Sequence, residues 1–376
     1  MIGFLRNIGE NYIRWLSSPE LNAAGRIGLF RILYGLFSLW ICSYLYYDEM
    51  VAIPELQWRP IFLLSWLETP PYTLISFSES LLVGSLFLLL IGYQTRLSTL
   101  VVLFLGSGLT AIRISLFMSD HLFMIQYFYV PLFMSLSCWG DTYSIDSILK
   151  RRRGKLMPYP NDPSWRYFWP LRGLLVIYSA LMFSSAYAKI QEGDWLVNPH
   201  FVGRLLVHKT VYSYLENGFP VNPIAIFISQ HPFLHIPIQY GTLIFEAVSI
   251  FILFSPLIRF IFFRIIPIFH FSNTFLMGIP FATVIGIYLA FPDWQSIYER
   301  FYPKSLCFNW LNRLPSPVLI GGAITGALLV GVTWNTLPLT RYIFSFFQLV
   351  TFHAIWLIIF PFALAWAVIS IYRESK

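Results

Sequence analysis

A succession of long apolar segments is the feature that most constrains the fold of this chain. Each segment is about twenty residues long, which is the length a helix needs to cross the hydrocarbon core of a bilayer. Charged residues make up only 11% of the 376 residues, against roughly 25% in soluble domains. A soluble fold would leave much of this apolar surface in water. The chain is therefore predicted to be a polytopic membrane protein, and an ordinary cytosolic enzyme, a disordered chain and a nucleic-acid binder are excluded.

The apolar segments predict an all-α, polytopic helical bundle of about nine transmembrane helices, with a range of eight to ten. The predicted spans are 27–47, 72–92, 97–117, 121–139, 171–188, 236–256, 258–291, 318–337 and 343–371. The seventh is too long for one straight crossing and contains Pro267 and Pro280, so it is either a kinked helix or two segments. We expect one membrane domain over 1–376, with an interfacial helix in 1–26, a core at 27–295 and two further spans in 296–376.

The basic residues in short loops predict the orientation of these spans. Five of the six residues between 150 and 155 are Lys or Arg, which places this loop on the cytoplasmic side. Alternation then puts the N-terminus on the same side and the segment 189–235 outside. Near the N-terminus, Tyr12 and Trp15 belong to an apolar pattern close to helical spacing, which predicts the interfacial helix.

Ionisable residues inside predicted spans are candidate functional residues, because hydrocarbon penalises them. Five of them stand out: Glu79, Arg113, Glu246, His270 and His353. Glu79 and Arg113 lie in the outer halves of consecutive spans, so an ion pair between them is predicted, with either a structural or a functional role. Glu246 and His270 lie near mid-depth on spans that a short turn joins, and we expect them to face each other as a proton relay. His353 is interpreted as structural.

Polar residues also collect at the predicted outer ends of the spans. Asp120 and His121 begin the fourth span, and Lys189 ends the fifth, shortly before Trp195. A lysine at a helix end either snorkels to the headgroups or, held against apolar walls, loses hydration and acts as a general base. The small residues 184–186 precede Lys189 and allow close helix packing, which favours the second interpretation.

Three segments of the chain resemble the HTTM domain, the membrane domain of the vitamin K-dependent gamma-carboxylases. They are DHLFMIQYFYVPLFMSLSCWGDTYSID (120–146), WPLRGLLVIYSALMFSSAYAKIQEGDW (169–195) and HFSNTFLMGIPF (270–281). The resemblance extends over residues 20–295. The chain departs from the family in having one more residue between Lys189 and Trp195 and a single lysine instead of a pair. It also has no counterpart of the large outer domain that binds a propeptide, so we expect no propeptide recognition without a partner.

The resemblance implies roles for individual residues. Lys189 matches the base that deprotonates vitamin K hydroquinone, so the cofactor expected is that quinol or a related one, with O2 and CO2 and no metal. His121 and His270 match histidines on the same side of the family's active cavity. The remaining candidate cofactor-binding residues are Asn273, which lies one helical turn after His270, together with Trp195, Arg113, Glu79 and Glu246.

Three functions stay open from the sequence. The first is a carboxylase-like membrane enzyme that modifies a peptide or small substrate at the periplasmic or lumenal face. The second is a non-enzymatic membrane factor for maturation or export of a secreted peptide or of a soluble outer-face partner protein, and the third is a transporter. All three predict a multi-pass protein in a lipid bilayer. The absence of N-glycosylation sequons favours a bacterial inner membrane over an endoplasmic reticulum.

Overall fold

The computed structural model describes residues 10, 12–44, 58–66, 68–117, 123–217, 221–277, 281–301 and 311–336. Within these ranges the regular structure is helical throughout, which confirms the predicted all-α class. The α-helices are α1 (Ala23–Tyr44), α2 (Tyr72–Ile91), α3 (Thr95–Phe117), α4 (Val130–Ser135), α5 (Ile145–Arg152), α6 (Trp165–Glu192), α7 (Asp194–Val197), α8 (Phe201–Asn217), α9 (Pro223–Gln230), α10 (Pro232–Val248), α11 (Pro256–Met277), α12 (Ala282–Tyr288), α13 (Trp294–Phe301) and α14 (Ser316–Thr336). A π-helical turn at Ile125–Tyr129 precedes α4, and a 3₁₀ turn at Ser249–Leu253 follows α10.

Seven helical segments in the described ranges are long and apolar enough to cross a membrane. They are Ala23–Cys42, Tyr72–Ile91, Thr95–Leu116, Trp165–Glu192, Pro232–Leu253, Pro256–Met277 and Ser316–Trp334. Each overlaps one of the nine predicted spans. Of the other two, 121–139 lies partly and 343–371 lies wholly outside the described residues, so the count of nine stays a prediction.

In the seventh predicted span the described residues include two helices, α11 and α12. Helix α11 continues through Pro267, whereas Pro280 lies between the two helices in the sequence. A proline inside a helix lacks the N–H group for the backbone ladder and crowds the carbonyl four residues earlier, so it bends or ends the helix. Residues 278–280 lie outside the described ranges, so the choice between one kinked helix and two segments stays open.

The predicted outer segment 189–235 is largely helical, containing α7, α8 and α9. These helices bury a small apolar cluster of their own against α10. It contains Trp195, Val202, Leu206, Ala225, Ile228 and Leu243. Asn222 caps the N-terminus of α9, because its side-chain oxygen accepts hydrogen bonds from the N–H groups of Ile224 and Ala225.

The described residues group into two compact units, each discontinuous in sequence. The first unit contains residues 12–15 and 175–281, and the second contains residues 16–174 and 282–336, each over its described positions. In the first unit, the Tyr12 ring lies 5.6 Å from that of Phe254. The Arg259 guanidinium lies 4.4 Å from the Trp15 ring. The N-terminal helical residues therefore contact the turn between α10 and α11.

The second unit packs α2 against α1, α3 and α14. Helices α2 and α14 approach each other closely, because Gly331 has the Ser80 carbonyl oxygen only 2.7 Å from where a Cβ atom would stand. Small residues permit such backbone contact between membrane helices. The completely buried Arg31 of α1 donates to the carbonyl oxygens of Leu89 (2.5 Å) and Leu90 (2.8 Å) at the end of α2. It also donates to that of Tyr143 (2.5 Å).

The π-helical turn before α4 has a cause in the sequence. Pro131 has no N–H group with which to bond the carbonyl four residues earlier, that of Tyr127. That carbonyl accepts a hydrogen bond from the Ser107 hydroxyl of α3 at 3.3 Å. Pro131, which follows the turn, and Ser107, which belongs to the neighbouring α3, thus account for the local change of helical geometry.

Candidate functional site

Lys189 and Glu246 form an ion pair in the first unit. The Lys189 Nζ donates to Glu246 Oε1 at 2.8 Å and to Oε2 at 2.7 Å. The carboxylate side chain is 7% exposed and the lysine side chain 23% exposed. Charges that have lost most of their hydration are costly unless paired, so each of these groups depends on the other.

The buried face of α6 leads directly to Lys189. Leu175, Tyr178, Met182 and Ala186 are all buried, and they follow one another at intervals of three or four residues, as one face of a helix requires. Lys189 is the next position on this face. Its ammonium group is therefore directed along the packed side of the helix, and not toward the surrounding lipid.

A reciprocal pair of hydrogen bonds fixes α6 against the end of α10. The Ser179 hydroxyl donates to the Ser249 carbonyl at 2.7 Å, and the Ser249 hydroxyl donates to the Ser179 carbonyl at 3.1 Å. Both serines are completely buried. Ser249 lies three residues after Glu246, so this contact sets the register that brings the carboxylate to Lys189.

The Trp195 ring forms another side of the site. Gly193, at a φ of 76°, turns the chain between α6 and α7 in a conformation that other residues rarely adopt. Trp195 is buried, and the Lys189 Nζ lies 5.4 Å from its ring centroid, in the range of a cation–π contact. The Gln239 side chain of α10 donates to the Trp195 carbonyl at 2.6 Å, which holds α7 in place.

His270 lies on the buried face of α11, which also carries Phe262, Ile266 and Thr274. The Phe269 ring beside it in sequence packs 4.8 Å from that of Phe245, the neighbour of Glu246. On its other side the His270 ring packs against the Phe281 ring, with 4.6 Å between the ring centroids. The structure thus brings Lys189, Glu246, His270 and Trp195 into one region of the first unit.

The other candidate residues lie elsewhere. Asn273 is half-buried on α11. In the second unit, Glu79 accepts a hydrogen bond from the Trp334 indole at 3.1 Å, and the Arg113 guanidinium lies 5.6 Å from the Phe123 ring. The Glu79–Arg113 ion pair stays a prediction. His121 and His353 lie outside the described residues.

The sequence named Lys189 and Glu246 but did not pair them. It assigned Glu246 to His270, because a short turn joins their helices, and it placed Lys189 against apolar walls. In the structure, the Glu246 carboxylate accepts hydrogen bonds from the Lys189 ammonium group. The residues that arrange this contact, Ser179, Ser249 and Gln239, were not recognised either. All three are polar residues inside apolar segments, and this is the sequence pattern that could have identified them.

The site offers a proton donor and a proton acceptor in direct contact, beside an aromatic ring. A lysine ammonium has three protons to donate, and an ionised carboxylate has only acceptor positions. Within the described residues, no three His, Cys, Asp or Glu side chains are placed to hold a metal ion. The Lys189 ammonium and the Glu246 carboxylate can themselves supply proton transfer and hydrogen bonding.

Comparison of the chain with protein-family models, with curated proteins and with solved structures finds no match. The resemblance to the HTTM domain therefore stays a prediction, carried by the three motifs at 120–146, 169–195 and 270–281.

Proposed function

We propose that this chain is an integral-membrane enzyme of the carboxylase type that the HTTM resemblance implies. It uses a quinol and the Lys189–Glu246 pair to modify a peptide or small substrate at the periplasmic or lumenal face. One observation carries the proposal. The lysine that matches the family's base is held by a buried carboxylate, in the arrangement a proton-transferring group requires.

The pair works as a base by exchanging one proton internally. When Nζ gives a proton to a Glu246 oxygen, the ammonium becomes an amine and the carboxylate becomes a carboxylic acid. The neutral pair is accessible because burial removes the hydration that favours two separate charges. The Nζ lone pair then accepts a proton from a substrate O–H group, and Glu246 keeps the first proton until it returns to solvent.

The residues present suit a quinol. The Trp195 ring, which packs on Phe201, gives the site an aromatic wall, and the partly exposed Lys189 Nζ beside it offers a hydrogen-bonding atom. When bound, such a quinol supplies an acidic hydroxyl group and the electrons for reaction with O2. Lys189 and Glu246 would hold its hydroxyl group, and His270 would border the same region.

The predicted topology supports this assignment. The basic loop at 150–155 places the N-terminus in the cytoplasm, and Trp15 contacts Arg259 at the start of α11. The same topology assigns the turn between α10 and α11 to the cytoplasmic side. Lys189 lies near the end of α6 that this topology places outside, where the family carries out its reaction, and it reaches Glu246 deeper in the Pro232–Leu253 segment.

The test is quinol oxidation by the purified protein in lipid nanodiscs. Vitamin K hydroquinone and O2 are supplied, and formation of the epoxide is followed by chromatography. We expect the Lys189→Ala variant to lose turnover by about 10³-fold, within the range for removal of a general base. The matched control is Lys209→Ala, because Lys209 lies in the same unit with its Nζ 6.0 Å from the Tyr212 ring.

Two results would overturn the proposal. One is a wild-type protein that oxidises no quinol, with or without added peptide. The other is a folded Lys189→Ala variant that is as active as Lys209→Ala. If Lys189 is dispensable and a secreted peptide or outer-face protein copurifies with the chain, the maturation factor replaces the enzyme.

A proton-coupled transporter is the second candidate, and the same ion pair favours it. A buried Lys–Glu pair that neutralises by internal proton transfer is also a relay for protons along a membrane pathway. Flux measurements in proteoliposomes distinguish the two functions. A transporter moves substrate with a pH gradient and no quinol, whereas the enzyme turns over in nanodiscs, where no gradient exists.

A further inference from the structure

We propose that the second unit contains a binding site for a phosphate group, in a cavity at the ends of three membrane helices. The cavity has a volume of about 420 Å³, which is within the range of small-ligand sites. Arg96 and Arg153 are the residues that would hold the phosphate. This site lies in a different unit from Lys189 and does not depend on the function proposed for that residue.

The cavity lies at the surface end of the spans. Tyr93 follows α2, Thr95 and Arg96 begin α3, and Ile320 belongs to the first turns of α14. Each of these helices is long and apolar enough to span a bilayer. Their ends therefore meet at the depth of the lipid headgroups, where phosphate groups are concentrated.

Two carboxylates line the cavity, and both are already bound. Asp141 Oδ1 accepts from the Lys150 Nζ at 2.8 Å, and its Oδ2 accepts from the Tyr167 hydroxyl at 3.1 Å. Asp146 accepts from the backbone N–H groups of Gln94 (2.9 Å) and Thr95 (2.8 Å). The negative charges of the cavity are therefore matched by the protein itself.

Two guanidinium groups remain at the rim. Among the described residues, the side chains of Arg96 and Arg153 have no hydrogen bond or ion pair, and both are exposed to solvent. Arginine presents a planar set of donors that binds phosphate oxygens in pairs. The lining thus has a surplus of positive charge of the type that recognises phosphate.

The thiol in the cavity does not point to nucleophilic chemistry. Burial and the nearby Asp141 raise the pKa of Cys138 above its ordinary value, which keeps the thiol protonated at neutral pH. Burial outweighs the nearby Lys150 and Arg96, which act on this pKa in the opposite direction. The apolar remainder of the lining, which includes Trp139, Leu149 and Ile320, suits the glycerol and first methylene groups attached to a lipid phosphate.

A phosphate group at this position comes either from an anionic lipid or from a soluble phosphate compound. Both are tested on the purified full-length protein in detergent by native mass spectrometry and calorimetry. The probes are dioctanoyl phosphatidate, dioctanoyl phosphatidylcholine and inorganic phosphate. Basic pockets at helix ends are known to bind anionic headgroups, so we expect phosphatidate to bind most tightly.

The deciding variant is Arg96→Gln/Arg153→Gln, and its matched control is Arg151→Gln/Arg313→Gln. Both variants remove two exposed arginines, but Arg151 and Arg313 do not line the cavity. We expect at least a tenfold loss of phosphatidate affinity in the cavity variant and no loss in the control. If the cavity variant does not fold, Arg96→Lys/Arg153→Lys keeps the charge and removes the paired donors, and we expect an intermediate loss.

The outcomes separate the two sources. A cavity-specific loss for phosphatidate alone supports a lipid site, and the same loss for inorganic phosphate supports a soluble ligand. Equal binding by the cavity variant and its control, or an equal loss in both, would overturn the proposal.

Discussion

Arg31 in the second unit and Lys189 in the first are both cations within helices that can span a membrane, and their partners differ in kind. Arg31 is completely buried, and its donors bind the backbone carbonyls of Leu89, Leu90 and Tyr143. Lys189 is partly exposed and binds a side-chain carboxylate. A carbonyl does not take up a proton in the range where proteins function, whereas a carboxylate does.

Under the proposed function, this difference separates a structural cation, Arg31, from a proton-transferring one, Lys189. Arginine keeps its charge under all physiological conditions, and its fork of donors satisfies several carbonyls at once. Arg31 therefore joins α1 to the end of α2 and has no proton to exchange. Lys189 and Glu246 share protons that can move between them. The partner of each cation, a backbone carbonyl or a side-chain carboxylate, is what sets this difference in proton exchange.

The largest effect on stability is expected from Arg31→Met. The substitution removes the guanidinium donor from three buried or part-buried carbonyl groups, at a cost of about 3–5 kcal/mol in the free energy of unfolding. Thermal unfolding of the purified protein in detergent measures this loss. The exposed Arg151→Met is the control and should change stability by less than about 0.5 kcal/mol. If Arg31→Met were as stable as the wild-type protein, Arg31 would not have the structural role that this comparison gives it.

The double variant Lys189→Met/Glu246→Leu should behave in the opposite way. Replacing a buried ion pair by apolar residues of similar size is often neutral, so we expect stability within about 1 kcal/mol of wild type. Quinol turnover should be lost completely. Lys189→Met alone should be less stable than the double variant, because it leaves the Glu246 carboxylate buried without its counter-ion. If the double variant were as unstable as Arg31→Met, the Lys189–Glu246 pair would have a structural role like that of Arg31.

A smaller effect is expected from Ser249→Ala, which tests how the pair is positioned. The variant loses a buried hydrogen bond worth about 1 kcal/mol and loosens the register between α6 and α10. We expect turnover to fall several-fold while the pair remains formed. Ser184→Ala is the control, since the Ser184 hydroxyl is exposed and bonds only the Leu181 carbonyl of its own helix. If Ser249→Ala and Ser184→Ala had equal activity, Ser249 would have no role in positioning the pair.

The membrane helices were predictable from the sequence because hydropathy is a local property. Seven predicted spans therefore coincide with helices of the described chain. Arg31 lies in the first of these spans, but it was passed over. Its partners are backbone carbonyls, which leave no trace in the sequence. The helices α7 to α9 were also missed, because they are short and their apolar residues face a small cluster.

The Lys189–Glu246 contact was not predictable for a different reason. The two residues are 57 positions apart, and their meeting depends on how far α6 and α10 are shifted along each other. Ser179 and Ser249 fix that shift through hydroxyl and carbonyl groups. Sequence patterns show which face of a helix is buried, but not the register of two helices that are distant in the chain.

Helix α10 carries two attachment points of the candidate site at a fixed separation. Gln239 holds the Trp195 carbonyl and Glu246 holds the Lys189 ammonium, and the two are separated by two helical turns, about 10 Å. Movement of this helix carries both attachment points together. The separation of these two attachment points is thus set by helical geometry, and the contact that they hold together is the one between the Lys189 Nζ and the Trp195 ring, 5.4 Å from Nζ to the ring centroid.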